Sequence, residues 1–174
     1  MKYFSSLFVI LSLALFSCNN HDSPDLEINL PVAETYVPAS IEFDVRDIDD
    51  EQKRDLIRLA NNDHIINDVV ELPDDPIGFG EAYHKINFTE YTLLIDYVLH
   101  DYTIDTYSTR FFRNTKENSF NWSVNIGTAS DTSIETGLMR FTRFAILVRK
   151  LPADAQVKFW LGLTQLGWFP ETDN

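Results

Sequence analysis

The sequence predicts an α+β domain, an antiparallel meander sheet of about five strands with an N-terminal helix packed on it. Period-two alternation recurs through the second half, clearest at Phe120, Trp122, Val124 and Ile126 against Asn121, Ser123 and Asn125. A helical stretch with Leu56 and Leu59 on one side precedes it. Short polar turns separate the successive strands, as hairpin-linked antiparallel pairs require.

From residue 19 to residue 39, Pro24, Pro31 and Pro38, scattered acids and the lack of an apolar period read as an extended tether. Ile41, Phe43 and Val45 alternate with Glu42, Asp44 and Arg46, a short half-buried strand. Asp49 or Asp50 then caps a helix through Ala60, with acids at the positive end of its dipole and Asn61 and Asn62 stopping it. Ile65 to Leu72 fits either a strand or a helical turn, and Pro73 to Gly80 is a loop.

Tyr91, Leu93, Ile95, Tyr97 and Leu99 then fall on one side of a strand, Tyr102 to Arg113 is a second, and Asn114 to Asn118 turns the chain into the strand of Trp122. After a polar loop from Thr128 to Gly137 come a long strand from Leu138 to Lys150, a turn at Leu151 to Asp154, and a last strand with Val157, Phe159, Leu161 and Leu163 on one side.

The first seventeen residues have the order of a secretory signal. Lys2 is the sole charge, an apolar run from Leu7 to Phe16 is broken only by Ser12, and small Ser17 precedes Cys18. That run is short of the roughly 20 apolar residues that span a bilayer. Leu15, Phe16, Ser17 and Cys18 resemble the lipobox of bacterial lipoproteins, which implies cleavage before Cys18 and a diacylglycerol on its sulfur. Two or more acyl chains, at about 0.8 kcal/mol per buried methylene, give a stable anchor.

Asn19 resembles the residue that outer-membrane lipoproteins carry after the cysteine, and Asp22, Asp25 and Glu27 resemble the acidic export signal of surface lipoproteins in Bacteroidota. The expected organisation is a signal peptide over residues 1–17, the lipidated cysteine and tether over 18–40, and a single α+β domain over 41–174. Because Cys18 is the only cysteine, no disulfide can form within the chain, and the core must hold the fold. Ile86 to Leu94 is similar to a stretch of small β-rich envelope lipoprotein domains, some likened to protease-complex accessory subunits. That resemblance implies a module without enzymatic activity.

The net charge of −13 argues against nucleic acid as a partner and against adsorption to anionic headgroups. Charge is unevenly placed, with 21 acidic and 5 basic residues from Asn19 to Asp105 against 6 and 8 from Thr106 to Asn174. Either the two halves fold against each other, or Arg110, Arg140, Arg143 and Lys158 offer a basic patch to an anionic ligand.

No catalytic motif is present. A glycine-x-serine-x-glycine elbow is missing, Gly78 and Gly80 lack the pattern of a phosphate loop, and His64, His84 and His100 lack zinc spacing. Asp44, Asp47, Asp49, Asp50 and Glu51 could supply oxygens to calcium, but without the glycine of an EF-hand loop they read as capping acids. No cofactor or metal is implied.

Aromatic residues carry the binding expectation. Trp160, out of phase with Val157 and Phe159, is expected on the sheet face opposite Trp122, with Tyr107 and Phe111 beside it; Arg110 and Arg143 complete the candidate set. Exposed rings beside arginine and asparagine grip sugars or peptides by stacking and hydrogen bonds. The alternative has the helix covering that face. Trp168, Phe169 and Pro170 form either a strap or a partner-binding tail. The expected function is a membrane-anchored envelope lipoprotein of the outer membrane that binds an envelope protein or glycan; the alternative is a hydrolase working with carboxylates on envelope or dietary polymers.

Overall fold

The computed structural model describes residues 27–62, 64–128 and 138–165. Cys18 and the expected signal before it, the expected loop from Thr128 to Gly137 beyond its first residue, and Trp168 to Pro170 lie outside the described residues. The order is β1 (Glu27–Asn29), β2 (Val32–Asp44), α1 (Asp50–Ala60), β3 (His64–Ile66), a 3-10 turn (Val69–Glu71), α2 (Glu81–His84), β4 (Tyr91–His100), β5 (Ile104–Asn114), β6 (Ser119–Thr128), β7 (Leu138–Arg149) and β8 (Val157–Gln165).

The protein is mostly β, and the strands form two four-stranded sheets, β1-β5-β6-β8 and β2-β7-β4-β3. The expected single meander is corrected on three counts. β4 and β5 are consecutive in the chain yet belong to different sheets, β8 runs parallel to β6, and the stretch expected as tether contributes β1 and most of β2. Pro38, which has no N–H to give a ladder, sits at a register shift between Tyr36 and Ala39 in β2. β2 lies at a sheet edge, where such a bulge is tolerated.

The reason for two sheets is that β4 and β7 are apolar on both faces. Leu93, Ile95 and Tyr97 of β4 join Phe141, Ala145 and Leu147 of β7 in one cluster, with Leu56 and Leu59 of α1 and Tyr83 of α2 packed over them. Leu94 of β4 joins Phe144, Ile146 and Val148 of β7 in another, against Phe111, Trp122, Val124 and Ile126 of the second sheet. A fully buried side chain of this kind contributes about 1.5–3 kcal/mol, so a sheet covered by one helix would leave half of that apolar surface in water. The result is three layers, helix and loops, central sheet, outer sheet.

α1 forms as the sequence reads. Asp49 accepts hydrogen bonds from the N–H groups of Glu51 and Gln52, Gln52 returns one to complete a capping box, and Asn61 ends the helix. The ambiguous stretch after it divides into β3 and the 3-10 turn.

One buried ion pair fastens the loop between β3 and β4 to the central sheet. Arg143 of β7 donates to Asp75 Oδ2 at 2.8 Å and to the Gly78 carbonyl at 2.9 Å, while its guanidinium lies over the rings of Phe79 and Tyr83. Tyr97 donates to the same carboxylate at 2.6 Å; burial, then that bond, raises its phenol pKa. Gly78, at φ 74°, turns the loop so that its carbonyl meets the guanidinium, a conformation that favours glycine.

On the other face of the same sheet, His100 Nδ1 lies 2.8 Å from the Tyr102 carbonyl, which can only accept, so Nδ1 carries the proton. Nε2 accepts from Thr142 Oγ1 at 2.7 Å, and that hydroxyl accepts from Ser40 Oγ at 2.7 Å. Burial pushes the imidazole pKa down; the Tyr102 bond opposes this, Arg140 adds to it and Asp101 opposes it.

Two outcomes are expected. Asp75→Asn leaves the Arg143 charge buried without its partner and should cost about 3–5 kcal/mol in urea unfolding, most of it recovered when Arg143 is also replaced by methionine. A loss below about 1 kcal/mol would show that water replaces the pair. For His100 the folded pKa lies below the unfolded one, so its contribution is complete above about pH 6.5 and is lost as pH falls from there through the folded value. The melting midpoint should therefore drop more between about pH 7.5 and about pH 5 in the native chain than in His100→Gln, and equal drops would contradict this.

Candidate functional site

Strand alternation fixes two faces on the outer sheet. Register places Phe111 opposite Trp122 and Trp122 opposite Phe159, so all three point into the sandwich. The other phase brings Arg110 and Phe112 of β5, Asn121, Ser123 and Asn125 of β6, and Lys158, Trp160, Gly162 and Thr164 of β8 onto the outer face. Neither helix packs on this face, because α1 and α2 cover the central sheet.

Trp160 is 57% exposed, yet its ring is held. Its Nε1–H donates to Asn121 Oδ1 at 3.0 Å, and Asn121 is buried at the floor of the face. In register with Asn121, on β5, lies Phe112, buried beneath the Arg110 guanidinium at 4.6 Å from its ring centre. A side chain at Gly162 would collide with Asn125 Oδ1, so the absence of a Cβ lets that carboxamide lie over the strand next to Trp160.

Both cations of the face are neutralised. Arg110 donates to Asn29 Oδ1 at 2.5 Å and pairs with Glu27 at 3.0 Å; Lys158 pairs with Glu117 at 2.6 Å and holds its carboxyl below the ordinary range. Arg140 is matched in the same way by Glu42 at 2.8 Å, and Arg143 by Asp75. The four residues expected as a possible basic patch are thus each paired, three of them with acids from the first half of the chain.

The structure separates the five candidate binding residues. Trp160 and Arg110 share the outer face; Phe111 is buried within the sandwich, stacked with Phe120 at 5.9 Å; Tyr107 has the inner phase at the sandwich rim, 6.3 Å from Phe144; Arg143 belongs to the other sheet. The correction is one of phase, since the register sets Phe111 on the side of Trp122. Phe112, Asn121, Asn125 and Gly162 were missed as site residues. The polar alternation of Asn121, Ser123 and Asn125 was the signal that pointed to them.

Other candidate sites are less organised. A groove of about 320 Å³ between α1 and the central sheet is floored by Ile41, Phe43, Leu56 and Leu59, with Asp55 and Asp74 at its mouth. Asp44 bonds Arg46, which draws its pKa down to about 2, and Asp49 caps α1, so both acids have structural partners. Among the described residues no group of three His, Cys, Asp or Glu side chains is placed to hold a metal.

Comparison with protein-family models, with curated proteins and with solved structures finds no match. The central feature of the outer face, the bond between Trp160 and Asn121, is open to a direct test. Asn121→Ala should free the Trp160 indole, so that the nitrogen-15 heteronuclear Overhauser effect of its Nε1–H falls while the backbone values of β8 hold. An unchanged indole would mean that the Asn121 bond does not fix the ring.

Proposed function

We propose that the chain is a lipid-anchored envelope lipoprotein of the outer membrane, held through Cys18, and that its folded domain is a binding module whose contact surface is the outer face of the sheet β1-β5-β6-β8. The observation that carries the second half is the Trp160 indole, exposed on a sheet face yet fixed by a buried carboxamide. An exposed ring costs ordering entropy, and holding it in one pose is of use where a ligand meets it already arranged. The first half rests on the resemblance of Leu15 to Cys18 to a lipobox. Among the described residues no helix is long and apolar enough to cross a membrane.

The hydrolase reading asks for a carboxyl group of raised pKa in a cleft. The displaced carboxyls among the described residues, Asp44 and Glu117, are displaced downward by Arg46 and Lys158, so no specific observation favours that reading.

Both halves are testable in cells that make the full chain. Cys18→Ser should abolish labelling by an alkyne-bearing fatty acid and move the protein out of the membrane pellet; retained labelling would refute the anchor. A photo-reactive residue at Ser123 should cross-link to an envelope component, whereas the same probe at Val70, 84% exposed on the loop of the other layer, should not. Equal yields at both positions would remove the outer face as the contact surface.

A further inference from the structure

The chemistry of the outer face narrows what it can hold. Along β8 the outward positions run Trp160, Gly162, Thr164, a distance of about 13 Å at the rise of a strand. The first is an exposed indole, the second has no side chain and carries the Asn125 carboxamide over it, and the third is an exposed hydroxyl. Ser123 lies between Trp160 and Arg110 in the register, and Asn125 between Gly162 and Ser108. The floor is thus a row of carboxamides and hydroxyls, each able both to donate and to accept, beside one flat apolar surface.

Three ligand classes fit poorly. An anion finds Arg110 and Lys158 already paired, and a cation finds Glu27 and Glu117 paired with them. An apolar partner surface would meet one large exposed apolar side chain, since Leu161 and Leu163 hold the inner phase of β8.

We infer that this face binds a neutral pyranose glycan, with the C–H face of one ring stacked on the Trp160 indole and hydroxyls bonded by Asn125 and Thr164. The inference rests on the reading of this face as the contact surface. A pyranose has an apolar C–H face and, at its edge, hydroxyls that donate and accept, which matches an indole beside carboxamides. Asn121 is a positioning residue, because its acceptor is taken by the indole N–H. Gly162 is a second one, since it leaves room for Asn125.

The test titrates the detergent-solubilised full chain with neutral cello-, xylo-, manno- and chito-oligosaccharides, read by calorimetry and by tryptophan fluorescence. At least one series should bind and shift the emission. Trp160→Ala should abolish that shift and weaken binding about tenfold or more. Gly162→Ala and Asn125→Ala should weaken binding while the melting midpoint stays near that of the native chain, which separates a lost contact from a lost fold. Affinity should be nearly constant from about 0.05 M to about 0.5 M salt, because no unpaired charge takes part.

The inference is overturned by silence in all four series, by undiminished binding in Trp160→Ala, or by binding that is lost as salt rises. The cross-link from Ser123 tells the two failures apart. A protein adduct there without glycan binding removes the glycan and leaves the contact surface standing, whereas neither adduct nor glycan removes both.

Discussion

Strands β4 and β7 lie side by side with apolar side chains on both faces, and neither face can be left to water. Leu93, Leu94, Ile95, Phe141, Phe144, Ile146 and Val148 are nearly or fully buried. Both helices and most of the other strands pack over them. α1, α2 and the loop between β3 and β4 close one side, held by the Arg143 to Asp75 pair; the outer sheet closes the other through Trp122, Val124 and Ile126. The outer sheet uses its inner face for that duty, and among the described residues no helix packs on its outer face.

Part of the uneven charge of the sequence is matched by pairing across the fold. β2 brings Glu42 to Arg140 of β7, the loop brings Asp75 to Arg143, and β1 brings Glu27 to Arg110. The exposed pairs are worth little individually, and the buried one is the exception, because breaking it would strand a charge in the core. On the outer face this matching leaves Arg110 and Lys158 paired beside the carboxamides of Asn121 and Asn125 and the Trp160 indole.

Much of the element pattern was legible in the sequence, and the assembly was less so. The acids before α1, the alternation in β6 and the long apolar run of β7 produced those elements close to their expected bounds, because capping and period two are local. The assignment of Tyr91 to Leu99 to one side of β4 was right, but Leu94 and Val98 on the other side were the sign of a doubly buried strand. The same sign stands in Phe144, Ile146 and Val148. β1 and the first part of β2 were hidden by Pro31 and Pro38, which an edge strand with bulges tolerates and a central strand does not, while the strand expected at Ile41 and Phe43 is the second part of β2. Trp160 was placed outward correctly by its phase to Phe159, while Phe111 was set on the wrong side because pairing register is not local.

The parallel pairing of β6 with β8 has a bearing on how the chain comes to be folded. Two parallel neighbours cannot be joined by a hairpin, and here the path between them leaves the outer sheet, builds β7 in the central one, and returns. β1 and β2, at the other end of the described chain, wait for β5 and β7. Each sheet therefore closes on contacts between residues far apart in sequence, which makes for slow folding. Until β8 emerges, Trp122 lacks the Phe159 ring that meets it edge-on at 5.1 Å. A chain that emerges from its N-terminus exposes that aromatic surface until β8 follows, an interval in which it is prone to association with other chains.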